Sequence, residues 1–271
     1  GDQYFPGSVF KILMTAAALE SGDYTAQSEF LNPAALPLPL SDKSVKNSGG
    51  RLCGGNETVT LEDAFRLSCN IPYAELGLEL GETAIGSMAD DFGFGATLEI
   101  PLEVTPSNFP RGLDDAQLML SSFGQFDVRV TPLQVAMMSA AVAEGGVLMK
   151  PNLVDEIIAP NLRVLQSYEP TIYSRPLRPS VAEELTRMMV RNVSQGVASG
   201  AAISGISVAG KTGTAETGIG DGRSFWFTGF APADDPQLAI AVVIEGSSSE
   251  GTSNSVASPV ARTIMEAVIE R

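Results

Sequence analysis

The chain has 271 residues, no histidine, two cysteines, a formal net charge of −15 from 17 basic against 32 acidic residues, and 44% apolar residues. Such an acidic balance excludes a nucleic-acid or anionic-lipid surface, which needs clustered Lys and Arg. Two cysteines without histidine exclude the usual zinc sites, and no Asp-x-Asp-x-Asp-Gly calcium loop occurs, so neither metal nor cofactor is expected. The longest apolar runs, Ile12 to Leu19 and Leu238 to Ile244, fall well short of the roughly 20 residues of a spanning helix.

In chain order, Pro6-Gly7 punctuates the start of a segment from Ser8 to Leu19 that is apolar nearly all round, the pattern of a helix buried on every side. Residues Leu31 to Thr58 are broken by Pro, Gly, Ser and Asn and read as a long loop. Thr60-Leu61-Glu62-Asp63 reads as a capping box opening a short helix toward Ser68-Cys69-Asn70, and Pro72 begins the next helix. Helical pattern continues over Glu82 to Asp91, Leu113 to Ser121 and Thr131 to Glu144, the last capped by Thr131-Pro132-Leu133-Gln134. Strand-like runs follow at Asn152 to Ala159 and Arg163 to Gln166, then a helix over Ser180 to Asn192. Ile206 to Thr214, Ser224 to Ala231 and Leu238 to Ile244 are joined by short loops, which predicts an antiparallel meander. A closing helix over Ser255 to Glu270 carries Val256, Val260, Ile264 and Val268 as one stripe, expected to rest on that sheet. The result is an α+β fold: an antiparallel sheet covered by helices beside an all-helical lobe, with the serine helix between them.

Three short runs carry the chemistry: Ser8-Val9-Phe10-Lys11, Ser68-Cys69-Asn70 and Lys211-Thr212-Gly213. A serine and a lysine three residues apart share a helical face, so a neutral Lys11 amine is placed to take the Ser8 proton without a histidine base. Ser8 lies in the first turn of its helix, where unpaired N–H groups favour developing negative charge. Burial and the Lys211 charge are both expected to lower the Lys11 pKa, as a general base near neutrality requires. Ser68 would relay a proton to the leaving group and Asn70 would hold a substrate carbonyl, although a simple helix-to-helix turn also favours Ser and Asn. Lys211 to Thr214 would edge the cleft: Gly213 admits a substrate backbone, the Thr214 and Ser8 N–H groups form an oxyanion hole, and the Thr212 and Thr214 hydroxyls bind a carboxylate beside Lys211. Gly210-Lys211-Thr212 does not fit a phosphate loop, since its upstream glycine is at 205 and its lysine ends a strand.

The three runs match in order and type the Ser-x-x-Lys, Ser-Asp-Asn and Lys-Thr-Gly set of penicillin-recognising serine acyltransferases, with Cys69 at the middle of the second. With Gly124-Gln125 before Thr131-Pro132-Leu133-Gln134, Lys211 through Glu216, and Trp226-Phe227-Thr228-Gly229-Phe230-Ala231-Pro232, the chain resembles the transpeptidase domain of class B penicillin-binding proteins over almost its whole length, most like the actinobacterial A type. The resemblance implies that residues 1–271 are one N-terminally truncated transpeptidase domain lacking the family's membrane anchor, pedestal domain and first two sheet strands. It further implies acylation of Ser8 by the D-Ala-D-Ala end of a peptidoglycan stem peptide, loss of D-Ala and transfer to an amine on a neighbouring strand. β-Lactam antibiotics would acylate the same serine and leave slowly. The enzyme would work at the extracytoplasmic face of the bacterial membrane with the elongation or division machinery. In that compartment a Cys53–Cys69 disulfide is expected. Two rivals share the motifs: a serine β-lactamase, for which no Glu-x-x-Leu-Asn run exists between the second and third motifs, and the β-lactam sensor domain of a signalling receptor.

Overall fold

The computed structural model describes residues 1–98, 100, 102, 104–218 and 220–269. The first helix begins as a 3₁₀ turn, Gly7–Phe10, and continues as α1, Lys11–Ser21. After it come four three-residue strands, β1 (Glu29–Leu31), β2 (Ala35–Pro37), β3 (Ser44–Lys46) and β4 (Thr58–Thr60); β1 and β4 pair and bound the expected loop, while β2 and β3 pair within it. Next come α2 (Leu61–Leu67), α3 (Ile71–Asp91, interrupted at Gly81), α4 (Asp115–Ser121) and α5 (Pro132–Ala143). Their starts follow the expected chemistry: Thr60 and Thr131 accept the Asp63 and Gln134 N–H groups, while Asp114 and Gln117 form a reciprocal capping box. Short strands β5 (Leu148–Met149), β6 (Glu156–Ile158), β7 (Val164–Ser167) and β8 (Ile172–Ser174) precede α6 (Pro179–Gln195). The chain closes with β9 (Ala209–Glu216), β10 (Gly222–Ala231), β11 (Leu238–Ser247) and α7 (Ser253–Ile269).

β9, β10 and β11 form the expected antiparallel meander with β10 central, Trp226 facing Gly213 and Phe227 facing Thr212 across the β9 pairing. Side chains of a strand alternate between faces. On β10, Phe225 and Phe227 belong to the cluster with Ala257, Ala261 and Met265 of α7, whereas Trp226 and Phe230 belong to the cluster with α1, α3 and α5. Both faces of β10 are therefore covered, which is why its sequence is a near-continuous apolar run. α1 packs against α3 and α6, α6 packs against β9, and the 3₁₀ turn rests on β9. That stacking seats the serine turn between helical lobe and sheet.

α7 lies on the sheet, but not by the stripe expected. Val260, Ile264 and Val268 are 41%, 42% and 43% exposed, while Ala257, Ser258, Ala261 and Met265 are buried. The neighbouring stripe of small residues lets the helix approach the bulky Phe225 and Phe227, and valines there would hold it off. The last expected residue of this helix, Glu270, lies outside the described residues. The expected strand at Asn152 to Ala159 shortens to β6 and that at Arg163 to Gln166 shifts by one residue to β7; the two pair, and every residue of both is exposed.

Candidate active site

Ser8 sits in a 3₁₀ turn, where residues three apart eclipse each other, so it and Lys11 share one face. Three glycines fix the turn against β9. Gly7 has φ +53°, its N–H donates to Gly124 O at 2.9 Å, and a Cβ on it would lie 2.5 Å from Thr214 O. A Cβ on Gly124 would lie 2.1 Å from Gly7 O, and one on Gly213 would lie 2.7 Å from Pro6 O and 2.8 Å from Val9 N. The chain's own serine turn therefore approaches Gly213 closely, a contact not foreseen in the sequence. The Trp226 indole N–H donates to Phe5 O at 3.0 Å and fixes the chain entering the turn.

The second motif closes α2. Ser68 is its C-cap in the left-handed region, φ 60° and ψ 40°, with its N–H on Phe65 O and that of Cys69 on Ala64 O. A non-glycine residue there costs on the order of 1–2 kcal/mol. Cys69 is bonded to Cys53, with Cα atoms 5.7 Å apart, so the disulfide expected from the resemblance is present. Lys11 and Lys211 are both fully buried. The Lys11 amine donates to Asn70 Oδ1 at 2.8 Å, to Ser68 O at 2.9 Å and toward Ser68 Oγ at 3.4 Å. That of Lys211 donates to Ser68 Oγ at 2.8 Å and Thr212 O at 3.0 Å. One hydroxyl therefore lies between two amines, the geometry of a proton relay. No Ser8–Lys11 hydrogen bond is formed among the described residues; the Lys11 amine donates to Ser68 and Asn70 instead.

Burial, and next the Lys211 charge, hold the Lys11 amine well below the ordinary lysine value. Burial brings Lys211 down to about 7. Desolvation thus favours the neutral form of both amines. On the next face of β9, Thr212 Oγ1 donates to Val197 O at 3.4 Å and Thr214 Oγ1 pairs with Ser253 Oγ at 2.6 Å. Ser253 Oγ also lies 2.6 Å from Gly213 O, a pure acceptor, so its single proton goes there and the Thr214 hydroxyl donates to Ser253. Sequence reasoning missed the positioning roles of Gly7 and Gly124 and missed Ser253 altogether. The two glycines stand inside quoted motifs, whereas nothing in the sequence around Ser253 connects it to Thr214.

The family profile described as "Penicillin binding protein transpeptidase domain" matches residues 1–266. The chain belongs to this family. It is 39% identical over 99% of its length to peptidoglycan D,D-transpeptidase PbpA of Mycolicibacterium smegmatis and 37% identical over 99% to its namesake from Mycobacterium tuberculosis, covering 55% and 56% of those proteins. A solved structure of penicillin-binding protein A from M. tuberculosis, a ceftriaxone acyl-enzyme complex, superposes with a TM-score of 0.94 at 37% identity, over 99% of this chain and 61% of that one. The chain spans about half the length of the curated relatives it matches. Its α+β fold is that of penicillin-binding protein transpeptidase domains. No described helix is long and apolar enough to cross a membrane.

Proposed function

We propose that residues 1–271 form one transpeptidase domain of a serine D,D-transpeptidase that cross-links peptidoglycan stem peptides and is acylated by β-lactam antibiotics. The observation that carries this reading is the pair of buried amines on Ser68 Oγ, beside a serine turn seated against the edge strand β9. Neutral Lys11 takes the Ser8 proton as Ser8 Oγ attacks the carbonyl carbon of the penultimate D-Ala. The Ser8 and Thr214 N–H groups receive the developing oxyanion. As the peptide C–N bond breaks, Ser68 passes its proton to the departing D-Ala amine and is reprotonated from the lysine pair. Lys211 holds the terminal carboxylate together with the Thr212 and Thr214 hydroxyls, which turn from Val197 O and Ser253 Oγ to donate to it. In the second half an acceptor amine attacks the acyl-enzyme, losing its proton along the same relay, and Ser8 leaves with a proton.

The placement at the extracytoplasmic face of the membrane, with the elongation or division machinery as partner, belongs to the same proposal. It is supported by the substrate class in the relatives' names and by the disulfide, a bond of oxidising compartments. The test is mass spectrometry of a D-Ala-D-Ala stem peptide incubated with enzyme and an amine acceptor. Release of D-Ala with formation of the cross-linked product is expected, and penicillin labelling without D-Ala release would mark a sensor.

A further inference from the structure

Asn70 stands at the N-cap of α3, where an asparagine side chain ordinarily accepts hydrogen bonds from its own helix. Here it does not. Its Oδ1 accepts the Lys11 amine at 2.8 Å and its Nδ2 donates to Lys46 O at 3.0 Å. Two backbone donors at the helix start are taken by a residue 23 positions earlier: Asn47 Oδ1 accepts Asn70 N–H at 2.8 Å and Ile71 N–H at 3.2 Å. Pro72, next in the turn, has no N–H to satisfy.

The orientation of Asn47 is itself fixed from behind. Its Nδ2 donates to Asn32 Oδ1 at 2.9 Å, and Asn32 Nδ2 donates to Cys53 O and Asn56 O, both at 2.7 Å. Asn32 Oδ1 also accepts Cys53 N–H at 3.2 Å, so both ends of its amide are saturated. Asn32 and Asn47 are 0% and 4% exposed. A flipped Asn47 would set two acceptors face to face and leave two helix donors unpaired in a buried site, which is costly.

From this geometry we propose that Asn47 is a positioning residue for acylation: by holding the Asn70 and Ile71 N–H groups from outside the helix, with Asn32 as its anchor, it fixes the backbone from which the Asn70 side chain holds the Lys11 amine. The inference rests on the assignment of Lys11 and Asn70 to the acylation machinery. Without Asn47, the Asn70 and Ile71 N–H groups lose their acceptor, the backbone that carries the Asn70 carboxamide shifts, and Lys11 loses an acceptor held in place. An acceptor favours the protonated amine, so its loss moves the acid limb of the acylation rate to lower pH while the plateau falls.

The experiment is a double-mutant cycle on the second-order rate of acylation by a fluorescent penicillin, with thermal unfolding measured on each variant. Asn47→Ala is expected to slow acylation by about tenfold to a hundredfold, the scale of a misplacement near 1 Å, with the acid limb displaced downward. In an Asn70→Ala background, Asn47→Ala should cost less than about twofold further, although its unfolding penalty persists. Val142→Ala, a buried truncation at the far end of α5, controls for stability loss alone and should leave the rate and the pH limb in place. A full additive loss in the Asn70→Ala background, or an acid limb that stays in place in Asn47→Ala, would overturn the proposal. If Asn47→Ala does not fold, Asn47→Ser, too short to span the same gap, is read by the same criteria. Asn70→Ala acylating at the wild-type rate would instead overturn the assignment beneath it.

Discussion

Replacing Gly213 by alanine isolates the fit between β9 and the serine turn. The new Cβ would meet Pro6 O at 2.7 Å, Val9 N at 2.8 Å and Val9 Cγ1 at 2.9 Å, all tighter than real contacts allow. Two of the three are backbone atoms with no rotamer to change. Restoring ordinary contact, near 3.4 Å, requires the turn and the strand to separate by about 0.7 Å. Overpacking of this kind costs roughly 1–3 kcal/mol of stability. Separating Ser8 from the Thr214 N–H by most of an ångström should slow acylation on the order of a hundredfold. The assay is stopped-flow acylation with several penicillins, alongside thermal unfolding. Because the defect lies between the chain's own elements, every penicillin should lose by a similar factor whatever its side chain. Losses that grow with the size of the β-lactam side chain, or an unchanged rate, would refute the spacer role.

Lys11→Ala should slow acylation by about a hundredfold to ten-thousandfold, the range for a lost general base, while leaving the protein folded by circular dichroism; near-normal acylation would remove Lys11 from its role. Thr214→Val should weaken acylation by carboxylate-bearing penicillins, since a charge-assisted hydrogen bond is worth about 1.5–3 kcal/mol, and affect an esterified analogue far less; equal losses would contradict the assignment. Lys211 has its folded pKa lowered to about 7 from an ordinary value of 10.5, so between those values the unfolded chain binds more protons and stability rises with pH. Relative to Lys211→Met, wild type should gain up to about 1.4 kcal/mol per pH unit in that window, measured by denaturant unfolding, and parallel curves would show that Lys211 is not desolvated. Replacing Cys53 and Cys69 with serine opens a link spanning 16 residues and should cost about 3 kcal/mol in the chain-entropy model, read as a lowered unfolding midpoint; an unchanged midpoint would mean the linkage adds no stability.

The sequence made most of the architecture legible where a signal is local. Ser8 and Lys11 are three apart, Thr60 and Thr131 cap visibly, and the three apolar runs near the C-terminus pair as a meander. Where two patterns compete locally, it misled: α7 carries two stripes at four-residue spacing, and only the fit against Phe225 and Phe227 selects the alanines over the bulkier valines. Composition misled in the segment after α1, because its Pro and Gly residues hide Asn32 and Asn47, whose partners are brought together by tertiary structure. Lys11, Ser68, Asn70 and Lys211 converge in space as the three motifs imply. The role of Gly213 was not legible for the same reason as that of Ser253: each is defined by an atom from a distant part of the chain.

The central claim is that Ser8 is the nucleophile, activated by buried amines and seated by β9. Peptide mapping by mass spectrometry after incubation with penicillin G tests it directly. The account predicts one intact penicilloyl adduct, on the peptide containing Ser8, absent from Ser8→Ala, and formed at a rate that falls as the pH drops and Lys11 takes up a proton. An adduct on any other residue, or undiminished labelling of Ser8→Ala, would contradict it.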